Sequence, residues 1–360
     1  MSFETPLREQ HENLHASLGN WLGCLLPSRF TDFAAEYEIA QKSVALLDTS
    51  YRAVLRFTGP DSVRYLNAIL TADIKQLAPG TGTPALLLNP QGHILAELEC
   101  YASEDEIIVF THVSEREHTL AALDKYIIMD DVTMEDITSD FSTIAFEGPH
   151  APELAHSLFQ IKLPSMPEFA HALSNLGSID LRLFRRSHFG AAGAEILVAR
   201  EDLARLWTEL FEAVSDAGGA PVGYEALNCL RLEAGIPWFG YDFDETVIPH
   251  EAALESTHVN FNKGCYTGQE IVERVRSRGH VNRRRVGLEF HGSTEPAHGV
   301  ELFASGVSVG RVTSAAYSPA ARAFIGMGYV RREQNSPGSE VEYPGGRARV
   351  IELPLRTKLA

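Results

Sequence analysis

The feature that most narrows the fold of this chain is a repeated joint. Phe57-Thr58-Gly59-Pro60-Asp61 returns as Phe146-Glu147-Gly148-Pro149-His150, 89 positions further on (146 − 57). Each copy closes a run of β-forming residues and opens a run with helical spacing, so each reads as a strand-to-helix junction. Two junctions of one design suggest two related α+β halves. Gly-Pro ahead of a helix is also ordinary punctuation, so the pentapeptide alone leaves duplication and coincidence both open.

At 360 residues, 44% hydrophobic and 22% charged, the chain is globular in composition and too long for one comfortable core. Residues 1–45 are predicted helical, with Leu14, Leu18, Trp21, Leu22 and Leu25 at spacings of three and four before a break at Pro27. A β-rich stretch follows, then a helix capped by Asp61 or Ser62. Strands are expected at Leu86–Leu88 and Ile94–Tyr101 around the turn Asn89-Pro90-Gln91-Gly92, and again at Ile107–Thr111 and Val132–Ile137, with a helix at Glu115–Tyr126 between them. The second half gives strands near Leu181–Phe184 and Ala194–Val198 and a helix at Leu203–Val214. Beyond Arg285, short alternating segments punctuated by Gly and Pro read as a small antiparallel barrel or sandwich. The expected regions are 1–45, 46–285 with an internal boundary near 145, and 286–360.

Several function classes recede at once. No run approaches about 18 apolar residues, and Met1–Gln10 lacks the basic and apolar regions of a secretory signal. Cys24, Cys100, Cys229 and Cys265 are too scattered for a disulfide framework or zinc knuckle, and a reducing compartment fits them. The 14 histidines show no metal-ligand spacing. A formal charge of −17 (31 − 48) disfavours direct nucleic-acid binding.

The most unusual segment is Lys263-Gly264-Cys265-Tyr266-Thr267-Gly268-Gln269-Glu270. Two glycines bracket the cysteine and a helical composition starts at Gln269, which places Cys265 just ahead of a helix N-terminus. Exposed N–H groups there, with the Lys263 ammonium, would favour a thiolate able to act as nucleophile or soft metal ligand; Gln269 and Glu270 add polar groups beside it. The competing reading is a buried, inert thiol. Arg274, Arg276, Arg278, Arg283, Arg284 and Arg285 follow, a basic run suited to an anion such as a glutamate tail, or else paired with the chain's own carboxylates.

KGCYTGQE with this arginine-rich continuation resembles the signature of the YgfZ-type folate-binding proteins. LRLEAG (Leu230–Gly235), LLDTSYRAVLRFTGPDS and LLLNPQGHILAELECY resemble segments of the glycine-cleavage aminomethyltransferases of the same superfamily. The resemblance covers most of the chain. It implies an α+β, three-domain T-protein-like fold, with two α+β domains around a central folate cavity and a small C-terminal β-barrel, and it implies tetrahydrofolate or a one-carbon derivative as cofactor. Carried over by residue, Glu195 matches the acid that hydrogen-bonds the pterin, with His188 where tyrosine is frequent, and Arg231 matches a folate-contacting arginine. Tyr51 and Asn89 lie in the other matching segments and are expected at the folate site. Cys265, with Lys263, Gln269 and Glu270, is the expected catalytic group.

One departure stands out. Where the aminomethyltransferases place an aspartate after the turn, this chain has Ala96, and Glu97, one place along a strand, should face the other way. The resemblance therefore implies first a folate-binding accessory protein for iron-sulfur clusters, with iron-sulfur client or assembly proteins as partners and effects on tRNA modification through such clients. Its alternative is a folate-dependent aminomethyl- or methyltransferase. The expected location is cytoplasmic, or the mitochondrial matrix in a eukaryote.

Overall fold

The structure, a computed structural model describing residues 3–355, divides into two compact units: the chain up to Ala85 with Ala96–Leu227, and Leu86–Leu95 with the chain from Asn228 onward. The first unit opens with β1 (Phe3–Glu4), α1 (Arg8–Asn13), β2 (Ser17–Trp21), β3 (Cys24–Arg29) and α2 (Phe33–Lys42). These strands form a sheet of order β1-β3-β2, which corrects the helical reading of residues 1–45. Leu18 and Leu25 lie on opposite arms of a hairpin whose turn, Leu22-Gly23, has φ of 52° and 78°, and β3 runs through Pro27. The two positive φ values suit a two-residue hairpin turn, and apolar spacings of three and four in runs this short do not separate helix from strand.

The repeated joint then shows its meaning. β4 (Ala45–Asp48), β5 (Arg52–Thr58), α3 (Ser62–Ile69), β6 (Thr81–Leu88), β7 (Ile94–Ala102), β8 (Ile107–His112) and α4 (Arg116–Asp124) form one series. β9 (Thr133–Asp136), β10 (Phe141–Glu147), α5 (Ala151–Phe159), β11 (His171–Leu176), β12 (Ile179–Arg185), β13 (Gly193–Ala199) and α6 (Leu203–Asp216) repeat it element by element. Their sheets have the orders β6-β7-β8-β5-β9 and β11-β12-β13-β10-β4, the latter extended by β14 (Ala220–Pro221). The orders correspond except that the opening strands have changed places: β4 pairs with β10, and β9 with β5. This matching order favours duplication over coincidence.

The glycines of the joints are required by the exchange. A Cβ on Gly59 would stand 2.3 Å from the Asp131 carbonyl oxygen just ahead of β9, and one on Gly148 would stand 2.1 Å from that of Ser43 just ahead of β4. Each exchanged strand thus enters against the backbone of a junction that has no room for a side chain. Asp61 does not cap α3 with its side chain; its carboxylate accepts from Asp131 N and pairs with Arg64.

Strand alternation gives each sheet of the first unit two working faces. One face of the second sheet carries Ile144, Phe146, Ile196 and Val198 against α5 and α6, where Leu154, Leu206, Trp207 and Leu210 meet them. The other faces the first sheet, with Val54, Tyr101, Ile108 and Phe110 packed on Phe184 and Leu197. This second layer also holds the charged groups described below.

α7 (Tyr224–Glu233) runs on into the second unit, which contains α8 (Glu255–His258) and α9 (Gln269–Arg278). It ends in a closed barrel of β15 (Arg283–Gly292), β16 (Glu301–Ala304), β17 (Val307–Ser318), β18 (Ala323–Arg331), β19 (Glu340–Tyr343) and β20 (Gly346–Ile351), in the order β15-β18-β17-β16-β19-β20. Its interior is lined by Leu288, Phe290, Leu302, Val312 and Val350. Leu86, Leu88 and Ile94 pack with Phe239, Tyr266, Val272 and Tyr329 in a separate core of this unit.

Candidate functional site

Between the two sheets of the first unit lies a cluster of buried charges. Arg52 begins β5, Glu99 sits in the middle of β7, Glu195 lies on β13, and Arg186 follows β12. The Arg52 guanidinium donates to Glu99 Oε2 at 2.6 Å and to Glu195 Oε2 at 3.1 Å. Glu99 also accepts from Tyr101 Oη at 2.8 Å and, at Oε1, from Arg186 Nε at 2.9 Å. Burial works to raise the Glu99 carboxyl, but Arg186 and Arg52 outweigh it and hold the group well below its ordinary value. Glu195 has the opposite balance: burial prevails over Arg52 and pushes its carboxyl up.

Two histidines complete the cluster. His188 Nε2 lies 3.9 Å from Glu195 Oε2, and burial, with Arg186 and Arg52, drives its pKa well down, so the ring is neutral near pH ~7. His112 is pushed down to about 4, chiefly by burial. Tyr51 stacks edge-on against His112 at 5.2 Å, and its hydroxyl is pushed up by burial. In this setting Arg52 Nε, His188 Nε2 and Glu195 Oε1 are buried and make no hydrogen bond among the described residues. A buried donor or acceptor without a partner costs about 1–3 kcal/mol. A polar ligand that satisfied all three would recover that cost.

Glu97 takes an unforeseen place. Ala96 and Glu97 do face opposite ways on β7, but the charged cluster lies on the Glu97 side, shared with Glu99. Glu97 approaches His112 Nε2 at 4.0 Å, and His112 is the register partner of Arg52. The side chains of Glu97 and Arg186 are each 19% exposed, which gives the cluster its solvent-facing rim. Arg52, Glu99 and Arg186 were not among the residues expected from sequence. Their signal is a charged residue inside an apolar strand run, visible in AVLRF's neighbour Arg52 and in LAELECY.

The remaining candidates belong to the second unit. Arg231 is fully buried. Its Nη1 donates to Asp242 Oδ2 and to the Ile236 carbonyl, Nε donates to Asn228 Oδ1 at 2.9 Å, and the guanidinium lies 4.5 Å from the Trp238 ring centroid. Asp242 is its carboxylate, and only Nη2 lacks a hydrogen bond among the described residues. Asn89 serves its own turn, its Oδ1 accepting from Gln91 N and His93 N.

Cys265 is the exposed one of the four cysteines, and α9 starts at Gln269 as its sequence suggests. Gly268 has φ +81°, and a Cβ there would stand 2.7 Å from the Asn89 carbonyl, so this turn packs directly on the Asn89 turn. Lys263 sets its ammonium 5.3 Å from the Tyr266 ring centroid, and Glu270 pairs with Arg274 on the helix surface. In the native protein, thiol labelling is expected to modify one fast-reacting cysteine of the four, abolished by Cys265→Ser. Cys24, whose thiol is pushed up to about 12 by burial and Asp48, should react only on unfolding. Two fast equivalents would contradict this assignment.

Among the described residues, the arginines of the basic run are already engaged. Arg274 pairs with Glu270, Arg276 with Glu273, Arg283 with Glu251 and Arg284 with Glu255, while Arg285 donates to the Ala252 carbonyl. The side chain of Arg278 lies outside those described. Of the two readings of this run, the described ion pairs favour pairing with the chain's own carboxylates. Among the described residues no His, Cys, Asp and Glu group suits a metal ion, and no helix is long and apolar enough to cross a membrane.

Comparison with known families places this architecture. Residues 7–263 match the GCVT N-terminal domain, and residues 283–355 match the glycine cleavage T-protein C-terminal barrel domain. The chain belongs to the glycine-cleavage T-protein family. It is 30% identical over 98% of its length to an aminomethyltransferase of Rubrobacter xylanophilus, covering 93% of that protein. It is 28% identical over 99% of its length to an aminomethyltransferase of Thermosipho melanesiensis, again covering 93% of that relative. The crystal structure of the glycine cleavage system aminomethyltransferase T of Bartonella henselae superposes with a TM-score of 0.89 at 25% identity, spanning 99% of this chain and 98% of that one. The mixed α+β T-protein fold with its six-stranded barrel is therefore the fold of this chain.

Proposed function

We propose that this T-protein family member binds tetrahydrofolate, or a one-carbon derivative, at the Arg52–Glu99–Glu195 cluster and acts in folate-dependent one-carbon transfer of the aminomethyltransferase kind. The reading is carried by the three buried unpartnered atoms Arg52 Nε, His188 Nε2 and Glu195 Oε1, in a chain whose relatives are aminomethyltransferases. The aminopyrimidine edge of a pterin offers N–H donors beside nitrogen and oxygen acceptors. A carboxylate oxygen can accept from it, and a guanidinium N–H can donate to it. The residues fit the group.

When bound, tetrahydrofolate supplies the amine nitrogens that carry a one-carbon unit. The protein's part is to bind and orient. Glu99 pins Arg52 and Arg186, so that Glu195 is held by one cation without being saturated. Tyr51 and the neutral His112 wall the cluster, and Glu97 at its rim is the carboxylate placed to take or give a proton. Ala96, buried and on the opposite face, is the departure from the family's acid.

A tetrahydrofolate titration tests the binding site. Glu195→Gln is expected to weaken binding about 10- to 100-fold, the effect of losing a hydrogen bond to a charged group. Unchanged affinity in that variant would displace the ligand from this cluster. Turnover is tested by mixing protein, tetrahydrofolate and aminomethyl donors and looking for methylene-tetrahydrofolate.

One observation favours a second reading. Cys265 alone among the cysteines is exposed, within a motif resembling the YgfZ-type proteins. On that reading the chain binds folate without turnover and supports iron-sulfur client or assembly proteins, and through them tRNA modification, with Cys265 as its working group. Folate binding without product, together with loss of client activity in Cys265→Ala cells, would select it over transfer.

A further inference from the structure

Glu147, the last residue of β10, is fully buried: burial pushes its carboxyl up against the donors of a single loop, and among the described residues no cation pairs with it. Its Oε1 accepts from Ser187 Oγ at 2.7 Å, Phe189 N at 3.1 Å and Ala191 N at 2.9 Å, and its Oε2 accepts from His188 N. Ser187 Oγ in turn accepts from Gly190 N at 2.7 Å. The loop so gathered has Arg186 at its start, donating to Glu99, and His188 inside it, 3.9 Å from Glu195. Both are members of the buried cluster.

A carboxylate is a costly residue to bury, and an apolar side chain would fill the same space at less expense in free energy. What the carboxylate adds is direction: four bonds spread over residues 187–191 set the path of the backbone, and with it the aim of the side chains on either side. The buried ring of Phe189 tethers the loop at one point but leaves that path unspecified. We infer that Glu147 is a positioning residue that holds this loop in the shape delivering Arg186 and His188 to the ligand cluster. The inference rests on the tetrahydrofolate reading of that cluster.

The test measures two quantities on the full chain. Residue-resolved hydrogen exchange of ligand-free Glu147→Ala should show the amides of His188, Phe189 and Ala191 exchanging roughly ten- to a hundredfold faster than in wild type, with α6 unaffected. Tetrahydrofolate affinity should fall by about tenfold or more in the same variant. Glu147→Gln, which keeps an acceptor for three of the four donors but not for His188 N, should recover most of both; if the alanine variant does not fold, this variant should still speed exchange of the His188 amide alone. Amides that stay protected would overturn the inference. So would a loosened loop that leaves affinity unchanged, since Glu147 would then serve the fold alone. A wild-type protein that binds no tetrahydrofolate sinks the reading of the cluster itself, an outcome distinct from failure confined to the variants.

Discussion

Replacing Arg52 by alanine is expected to cost the fold about 3–5 kcal/mol, the range for removing one partner of a buried ion pair. Arg52 is the cation shared by Glu99 and Glu195, and the three side chains are 5%, 5% and 1% exposed. Without it, Glu99 keeps Arg186, but Glu195 loses its ion-pair partner and keeps only the weaker pull of Arg186. The pH dependence checks the cause. Glu195 already has a raised carboxyl, so its ionisation opposes folding, and the opposition grows when Arg52 is gone. A group raised in the folded state contributes stability below its unfolded value and loses it as pH rises. Arg52→Ala should therefore regain stability from pH 7 toward about pH 5 more steeply than wild type. Thermal melts across that range measure it; a variant melting where wild type does would refute the role given to Arg52.

The second large effect is expected at Asp242. Burial works to raise its carboxyl, while Arg231 and Thr313 outweigh it and leave the group below its ordinary value. Arg231, fully buried beneath Trp238, depends on this one carboxylate, which also accepts from Trp238 N at 3.0 Å and Thr313 Oγ1 at 2.7 Å. Asp242→Ala should cost about 3–5 kcal/mol, and the shift in urea midpoint reads it. The double variant Arg231→Met/Asp242→Leu should recover much of the loss, because an apolar pair carries no uncompensated charge. A double variant as unstable as the single would show that the hydrogen bonds to Trp238 and Thr313, rather than the stranded guanidinium, account for the cost.

These predictions turn on residues that the sequence reveals unequally. The turn at Asn89–Gly92, the strands on either side of it, the helix starting at Gln269 and the barrel after Arg285 are local, because Gly, Pro and alternating apolar residues act over a few positions. The hairpin of residues 17–29 was missed for a local reason too: short apolar runs fit either period. Arg52, Glu99 and Arg186 were missed for another. Their partners lie 47, 143 and 87 positions away, and a charged residue in an apolar strand announces burial without naming what it meets. For the arginines at 274–285 two readings stayed open in sequence, since a basic run does not reveal which carboxylates face it until these are placed.

By itself the sequence determined the series of strands and helices, the repeated Gly-Pro joint, the closed barrel's short alternating strands and the motifs that tie the chain to its family. Only the tertiary structure decided that β4 and β9 exchange places between the two halves, that Glu97 rather than Ala96 faces the charged cluster, and that Arg231 is committed to Asp242. The physical reason is common to all three. Periodicity and propensity select the face a side chain takes, whereas its partner is chosen by the global packing that brings distant strands together, and that choice is not encoded in any one segment.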